Sequence, residues 1–174
     1  HAPELLPWGG AHLRVLGENT VDGTLGGTGL LFTGGGSLAA GELNVWAWGS
    51  VRAPLLAVRD GTDVRCGALH MGSNAEEKGT LLVESGDLTV DGEFWLQNTA
   101  LTVTGGELTL AGDASIDCGE VRISGGTVTF GHGLWLGEGD IVITGGTVIV
   151  PGGEAGLTAE NGKVTISGGT VREP

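Results

Sequence analysis

No stretch of this chain reaches the roughly 18 consecutive apolar residues that a membrane-crossing helix requires. Basic residues are scarce: eight Lys and Arg stand against 21 Asp and Glu, for a formal net charge of −13. Such a surface repels a phosphate backbone, which argues against a nucleic-acid partner. Membrane insertion and adsorption to an anionic bilayer are disfavoured too. Only two cysteines occur, Cys66 and Cys118, too few for a disulfide framework. The four histidines, His1, His12, His70 and His132, have none of the close spacings of a metal site. A copper site on the amine and imidazole of His1, completed by His12 or His70, is one conceivable use. A terminal residue exposed by processing is the plainer account. The Gly-Gly-x-Gly-x-Asp nonapeptide of calcium-binding rolls is missing as well. No metal or cofactor is assigned.

Glycine is what the chain has in excess. It supplies 36 of 174 residues, against a usual share of roughly 7%. An apolar fraction of 40% and a mean hydropathy of +0.18 exclude a disordered Gly-rich linker. Glycine does not recur at every third position, which excludes collagen. Many turns between many short apolar runs point to an all-β fold.

The turns are periodic. "LLVESGDLTV" from Leu81, "LTVTGGELTL" from Leu101, "VRISGGTVTF" from Val121 and "IVITGGTVIV" from Ile141 start 20 residues apart, and "VTISGGTVRE" from Val164 follows after 23. Looser copies read from Leu55 and Leu30, and a further one from His12. Each copy alternates apolar and polar positions, as a strand with one buried face does. In the Val121 copy, Val121, Ile123, Val128 and Phe130 point inward, and Arg122, Ser124, Thr127 and Thr129 point out. Between the two strands lie the corner glycines Gly105 and Gly106, Gly125 and Gly126, Gly145 and Gly146, and Gly168 and Gly169, where positive φ is open only to a residue without Cβ.

A third apolar patch completes each period: "EFWLQ" at 93–97, "ASID" at 114–117, "GLWLGE" at 133–138 and "AGLTAE" at 155–160. Three strands and three corners in about 20 residues make one turn of a parallel β-helix, or β-solenoid. Residues one period apart then stack, Val103 with Ile123, Ile143 and Ile166, and Leu108 with Val128, Val148 and Val171. Seven to eight coils at a strand spacing of about 4.8 Å give a rod roughly 35–40 Å long. Sandwiches, propellers and leucine-rich repeats do not account for this period. The expected organisation is an N-terminal segment, 1–11, and one solenoid domain, 12–174. Trp46, Trp48, Trp95 and Trp135 fall in the third patch, where they are expected to fill a widened corner; a stacking platform for a ligand is the alternative.

The segments "LTVTGGELTLAG", "VRISGGTVTFGHG" and "VTISGGTVRE" resemble the Gly-rich β-strand repeats of bacterial autotransporter passengers and related cell-surface β-helix proteins. The resemblance covers Leu81 to Pro174 well and the first 80 residues poorly. It implies right-handed winding and surface display, with roles in adhesion, scaffolding or presentation, and transfers no functional residue.

Chemistry is sparse. Asp87, Asp91, Asp113, Asp117, Glu138 and Asp140 fall at different places in the repeat, mostly at corners where acidic residues are ordinary. No lyase-like base accompanies them, and an enzyme is not expected. An outward column of Thr104, Ser124, Thr144 and Ser167 lacks the ordered neighbour column of an ice-binding face. Cys66 reads as a core thiol, and Cys118 lies before a corner.

The initial His in place of Met fits a mature, secreted chain. The last repeat runs close to Pro174 with nothing resembling a cap, and uncapped solenoid ends expose strand edges and core. An extracellular structural protein that stacks end to end on copies of itself is the expectation, with Leu5, Leu6, Trp8, Val164, Ile166 and Val171 at the axial contact. The alternatives are a fragment of a larger adhesin and a module that binds surface glycans.

Overall fold

The computed structural model describes residues 10–47, 53–74, 77–151 and 156–174, and among these every regular element is a strand. The chain winds through eight coils. The first three hold β1 (Gly10–Arg14) with β2 (Glu18–Gly27), β3 (Gly29–Thr33) with β4 (Ser37–Ala47), and β5 (Leu55–Val58) with β6 (Asp63–Ser73). The fourth is β7 (Gly79–Val83), β8 (Asp87–Val90) and β9 (Phe94–Gln97). The fifth contains β10 (Thr99–Val103), β11 (Glu107–Leu110) and the start of β12 (Ala114–Ile123). β12 rounds the third corner unbroken and opens the sixth coil, which β13 (Thr127–Phe130) and β14 (Leu134–Glu138) complete. β15 (Ile141–Ile143), β16 (Thr147–Ile149) and β17 (Leu157–Asn161) form the seventh, and β18 (Val164–Ile166) and β19 (Thr170–Arg172) the eighth.

Each strand pairs in parallel with its counterpart one coil away, which makes the fold a parallel β-solenoid. The expected columns are present in register. Leu81, Leu101, Val121, Ile141 and Val164 stack on the first face. Leu88, Leu108, Val128, Val148 and Val171 stack on the second. From Leu81 through Val148 these side chains are almost fully removed from water, and each such burial stabilises the fold by about 1.5–3 kcal/mol before entropy is counted.

Two starting points in the looser half shift by one residue. Leu81 pairs with Leu56, not Leu55, and Leu30 pairs with Ala11, not His12. A one-residue slip exchanges the two faces of a strand. Leu56 and Val58 accordingly lie inside while Leu55 is 42% exposed. The run "LLAV" is apolar throughout, so its alternation carries no phase of its own.

The paired glycines meet two different requirements. Only the second of each pair has positive φ: 67° at Gly106, 72° at Gly126, and 76° at both Gly146 and Gly169. The first is needed for close stacking. A Cβ on Gly125 would run into the carbonyl oxygen of Thr104 in the coil before it, and one on Gly105 into that of Glu84. The reading of both positions as positive-φ corners therefore holds for half of them. Coil-to-coil bonds tie the corner on both sides: Ser124 N–H donates to Val103 O at 2.9 Å and Thr127 N–H to Gly106 O at 3.0 Å.

Candidate functional site

The outer surface of the third face carries the most distinctive chemistry among the described residues. Its strands alternate strictly. In β9, Phe94 and Leu96 point into the core and Trp95 points out; in β14, Leu134 and Leu136 point in and Trp135 points out. Trp46 likewise lies between buried Val45 and Ala47. The expectation that these tryptophans fill a corner from within is therefore corrected. Period-two geometry turns the residue between two core positions toward solvent whatever its size. Trp48 lies outside the described residues.

Parallel register sets the order of outward side chains along the rod: Asn44, His70, Trp95, Ser115, Trp135, Thr158. Trp46 occupies the neighbouring column with Gly72 and Gln97. Its ring leans over Gly72, where a Cβ would meet three indole carbons at 2.6–3.1 Å. It then reaches Trp95, with ring centroids 5.5 Å apart and planes tilted by 46°. His70 meets Trp95 edge-on at 6.4 Å. His70 is held by two carboxylates, Nδ1 lying 3.1 Å from Glu42 Oε1 and Nε2 3.2 Å from Glu93 Oε2. A ring protonated on both nitrogens donates to each of them. Asn44 Nδ2 donates to the same Glu42 oxygen at 3.2 Å.

Two coils further on, Trp135 is 40% exposed. Its ring is bedded on Gly137, whose Cβ, if present, would touch the indole at 2.9 Å. The far edge of the ring thus lies over Gly137, and much of the side chain remains open to solvent. A shallow depression lies on each side of it along the strand direction. The first, of about 440 Å³, is lined by Asp113, Ser115, His132 and Thr158 beside Trp135. The second, of about 390 Å³, is lined by Asp117, Glu138, Glu160 and Asn161 with Cys118 at its wall. His132 Nδ1 lies 3.1 Å from Asp113 Oδ1.

Asp117 and Glu138, read from the sequence as unrelated corner residues, are thus brought to one hollow, and Glu160 joins them. The remaining candidates are dispersed. Asp91 holds Arg65 through two bonds of 2.8 and 2.9 Å, Asp87 accepts the Glu107 N–H at 3.0 Å, and Asp140 accepts the Lys163 N–H at 3.1 Å. The histidines are also apart: His12 Nε2 lies 2.7 Å from Thr33 Oγ1 on the first face, and His1 is outside the described residues. Among the described residues no group of three His, Cys, Asp or Glu side chains is arranged to hold a metal ion.

Cys66 sits where Val90 stands in the next coil, as its sequence position implies, and is buried. Burial, with Asp91 and Glu42 nearby, pushes its thiol up to about 12. Cys118 is half-buried with Sγ 3.8 Å from Glu138 Oε2, and both thiols are free. Of the residues expected at an axial contact, Leu5, Leu6 and Trp8 lie outside the described residues. Val164 and Ile166 occupy inward positions of the eighth coil yet are 40% and 53% exposed.

No protein-family model, curated protein or solved structure matches this chain. The likeness to autotransporter-type repeats accordingly stands on the repeats alone.

Proposed function

We propose that this chain is an extracellular β-solenoid module that binds glycans on its third face. The observation that carries the reading is Trp135, a tryptophan 40% exposed to solvent with a shallow hollow on each side of it along the strand. An exposed tryptophan costs solvation unless a partner covers it, and it offers a flat apolar surface to the C–H face of a sugar ring. Side chains able to bond hydroxyls surround it: Ser115, Thr158 and Asn161 beside Trp135, and Asn44 and Gln97 beside the Trp46–Trp95 pair.

A protein partner fits less well. Stable protein interfaces bury about 800 Å² per side around an apolar centre. On this face Trp135 is the one large apolar side chain that is exposed among the described residues. That patch suits a sugar better than a folded domain.

Indole fluorescence, titrated with a panel of neutral oligosaccharides, tests the proposal. At least one class of sugar should saturate the signal, and Trp135→Ala should weaken it by about tenfold or more, a loss of about 1.4 kcal/mol. Absence of binding across the panel, or binding indifferent to Trp135, overturns it.

A second reading is axial stacking. Exposure of Val164 and Ile166 favours it, because the residues they stack on, Ile141 and Ile143, are fully covered. A further layer of strands would cover them, supplied by a second copy in a filament or by more solenoid of an adhesin-like chain. Electron microscopy at neutral pH distinguishes these: filaments that vanish with Ile166→Asp support self-stacking, and monomers at high concentration oppose it.

A further inference from the structure

We infer that His70 is a proton-operated latch across three successive coils. Charged, its ring holds Glu42 and Glu93 together; loss of the Nε2 proton frees Glu93 alone. The inference is independent of what the third face binds.

Position comes first. Glu42 in β4, His70 in β6 and Glu93 at the entry to β9 belong to the second, third and fourth coils. The ring nitrogen Nδ1 is hydrogen-bonded to Glu42 Oε1 at 3.1 Å, and Nε2 lies 3.2 Å from Glu93 Oε2. An ionised carboxylate only accepts, so each contact calls for a proton on the nitrogen that faces it. Imidazolium supplies two protons. Neutral imidazole supplies one and turns a lone pair toward the other carboxylate. The arrangement is therefore satisfied in full only by the charged ring. No further charge faces it among the described contacts. β9 brings the uncharged Trp95, β4 the uncharged Asn44 and β2 the uncharged Thr24. Arg65, on the same strand as His70, is committed to Asp91 by two bonds.

The two carboxylates differ in what else holds them. Glu42 also accepts from Asn44 Nδ2 at 3.2 Å and from Thr24 Oγ1 at 3.4 Å, and its side chain is 32% exposed. Glu93 is 68% exposed, and His70 is its one side-chain partner among the described residues. When the ring becomes neutral, the remaining proton stays on Nδ1, where the acceptor is fixed. The proton on Nε2 leaves to solvent, and Glu93 turns into water. Histidine is the side chain whose charge ordinarily changes near neutral pH. The ring meets Trp95 edge-on at 6.4 Å, so the surface beside this indole has two states that differ by one charge and one free carboxylate.

The test is nuclear magnetic resonance of the whole chain with 15N-labelled histidine, between about pH 5.5 and 8.5. His70→Gln identifies the His70 signals among the four histidines. At the acid end both ring nitrogens should carry protons, and Overhauser contacts should join the ring to the side chains of Glu42 and Glu93. At the alkaline end Nδ1 should keep its proton and Nε2 should lose it. Contacts to Glu93 should then vanish while those to Glu42 persist. Free histidine in water prefers the opposite tautomer, so this outcome is not the default. Glu42→Ala should return the neutral ring to that default, and Glu93→Gln should leave the proton on Nδ1.

A neutral ring protonated on Nε2 overturns the inference. So do contacts to Glu93 that survive deprotonation or are missing at the acid end. An Nδ1 proton that persists in Glu42→Ala overturns it as well, because its acceptor would then lie elsewhere.

Discussion

The Trp46 indole lies across Gly72 of the following coil, so a residue without a side chain in one coil makes the bed for an aromatic ring from another. Gly137 does the same for Trp135 within a single strand. In each case the glycine lies at an outward position, where a strand would ordinarily carry a side chain.

Restoring a Cβ at Gly72 should lift the Trp46 ring and break its contact with Trp95. Such aromatic pairs contribute about 0.5–1.5 kcal/mol, and Gly72→Ala should lower stability by that order. Acrylamide quenching of indole fluorescence should rise in the variant. Unchanged quenching would mean that the ring does not rest on Gly72.

The corner glycines differ in what they exclude. A Cβ on Gly61, with φ of 67°, would meet nothing within 4 Å. Gly61→Asn should therefore cost no more than about 1 kcal/mol, since only the left-handed backbone is strained. At Gly126, with φ of 72°, a Cβ would also press on the Gly105 carbonyl carbon at 2.8 Å. Gly126→Ala combines strain with overpacking, for roughly 2–5 kcal/mol. Urea midpoints of the two variants should separate clearly.

Within one strand the two faces should respond oppositely. Leu108 is fully buried and Thr109, its neighbour in β11, is half-exposed. Leu108→Ala should lose about 2–5 kcal/mol, whereas Thr109→Ala should stay within about 0.5 kcal/mol. Similar losses at both positions would contradict the register.

The two thiols should be separable by reactivity and by pH. In the native protein a thiol reagent at pH 8 should modify Cys118 first, and Cys66 only on unfolding. The ordinary thiol value is 9.0 and folding raises Cys66 to about 12, so the folded chain holds this proton where the unfolded chain releases it. The sign follows: Cys66 leaves stability unchanged below pH 9 and erodes it as pH rises from 9 toward 12. At pH 10 the loss is about 1.4 kcal/mol. Cys66→Val, matching Val90 in its column, should abolish that part of the decline in urea denaturation at pH 8 and 10.

Much of the fold is legible in the residues. The columns from Leu81 to Val171 follow from a repeat that combines period-two alternation with a coil length of 20 or 23, because both depend on local geometry. Phase is lost at Leu55–Val58, where four apolar residues in a row leave pairing with β3 and β7 to decide which side faces in. The outward tryptophans are also visible, in the Phe-Trp-Leu and Leu-Trp-Leu triplets of β9 and β14, once alternation is weighed above side-chain bulk. The hollows are not. Asp117, Glu138 and Glu160 become neighbours through the way successive third corners are laid side by side, which involves no shared motif. Gly72 and Gly137 carry no sign of their role either, since a glycine under an indole looks like any other.

Because the pairing is in register, Trp95 and Trp135 are separated by two rungs, about 9–10 Å at the usual strand spacing. That interval is an integer multiple of one backbone dimension and cannot be adjusted continuously. Substitution can change what a rung displays, and only insertion or deletion of a whole winding can change how far apart two rungs stand.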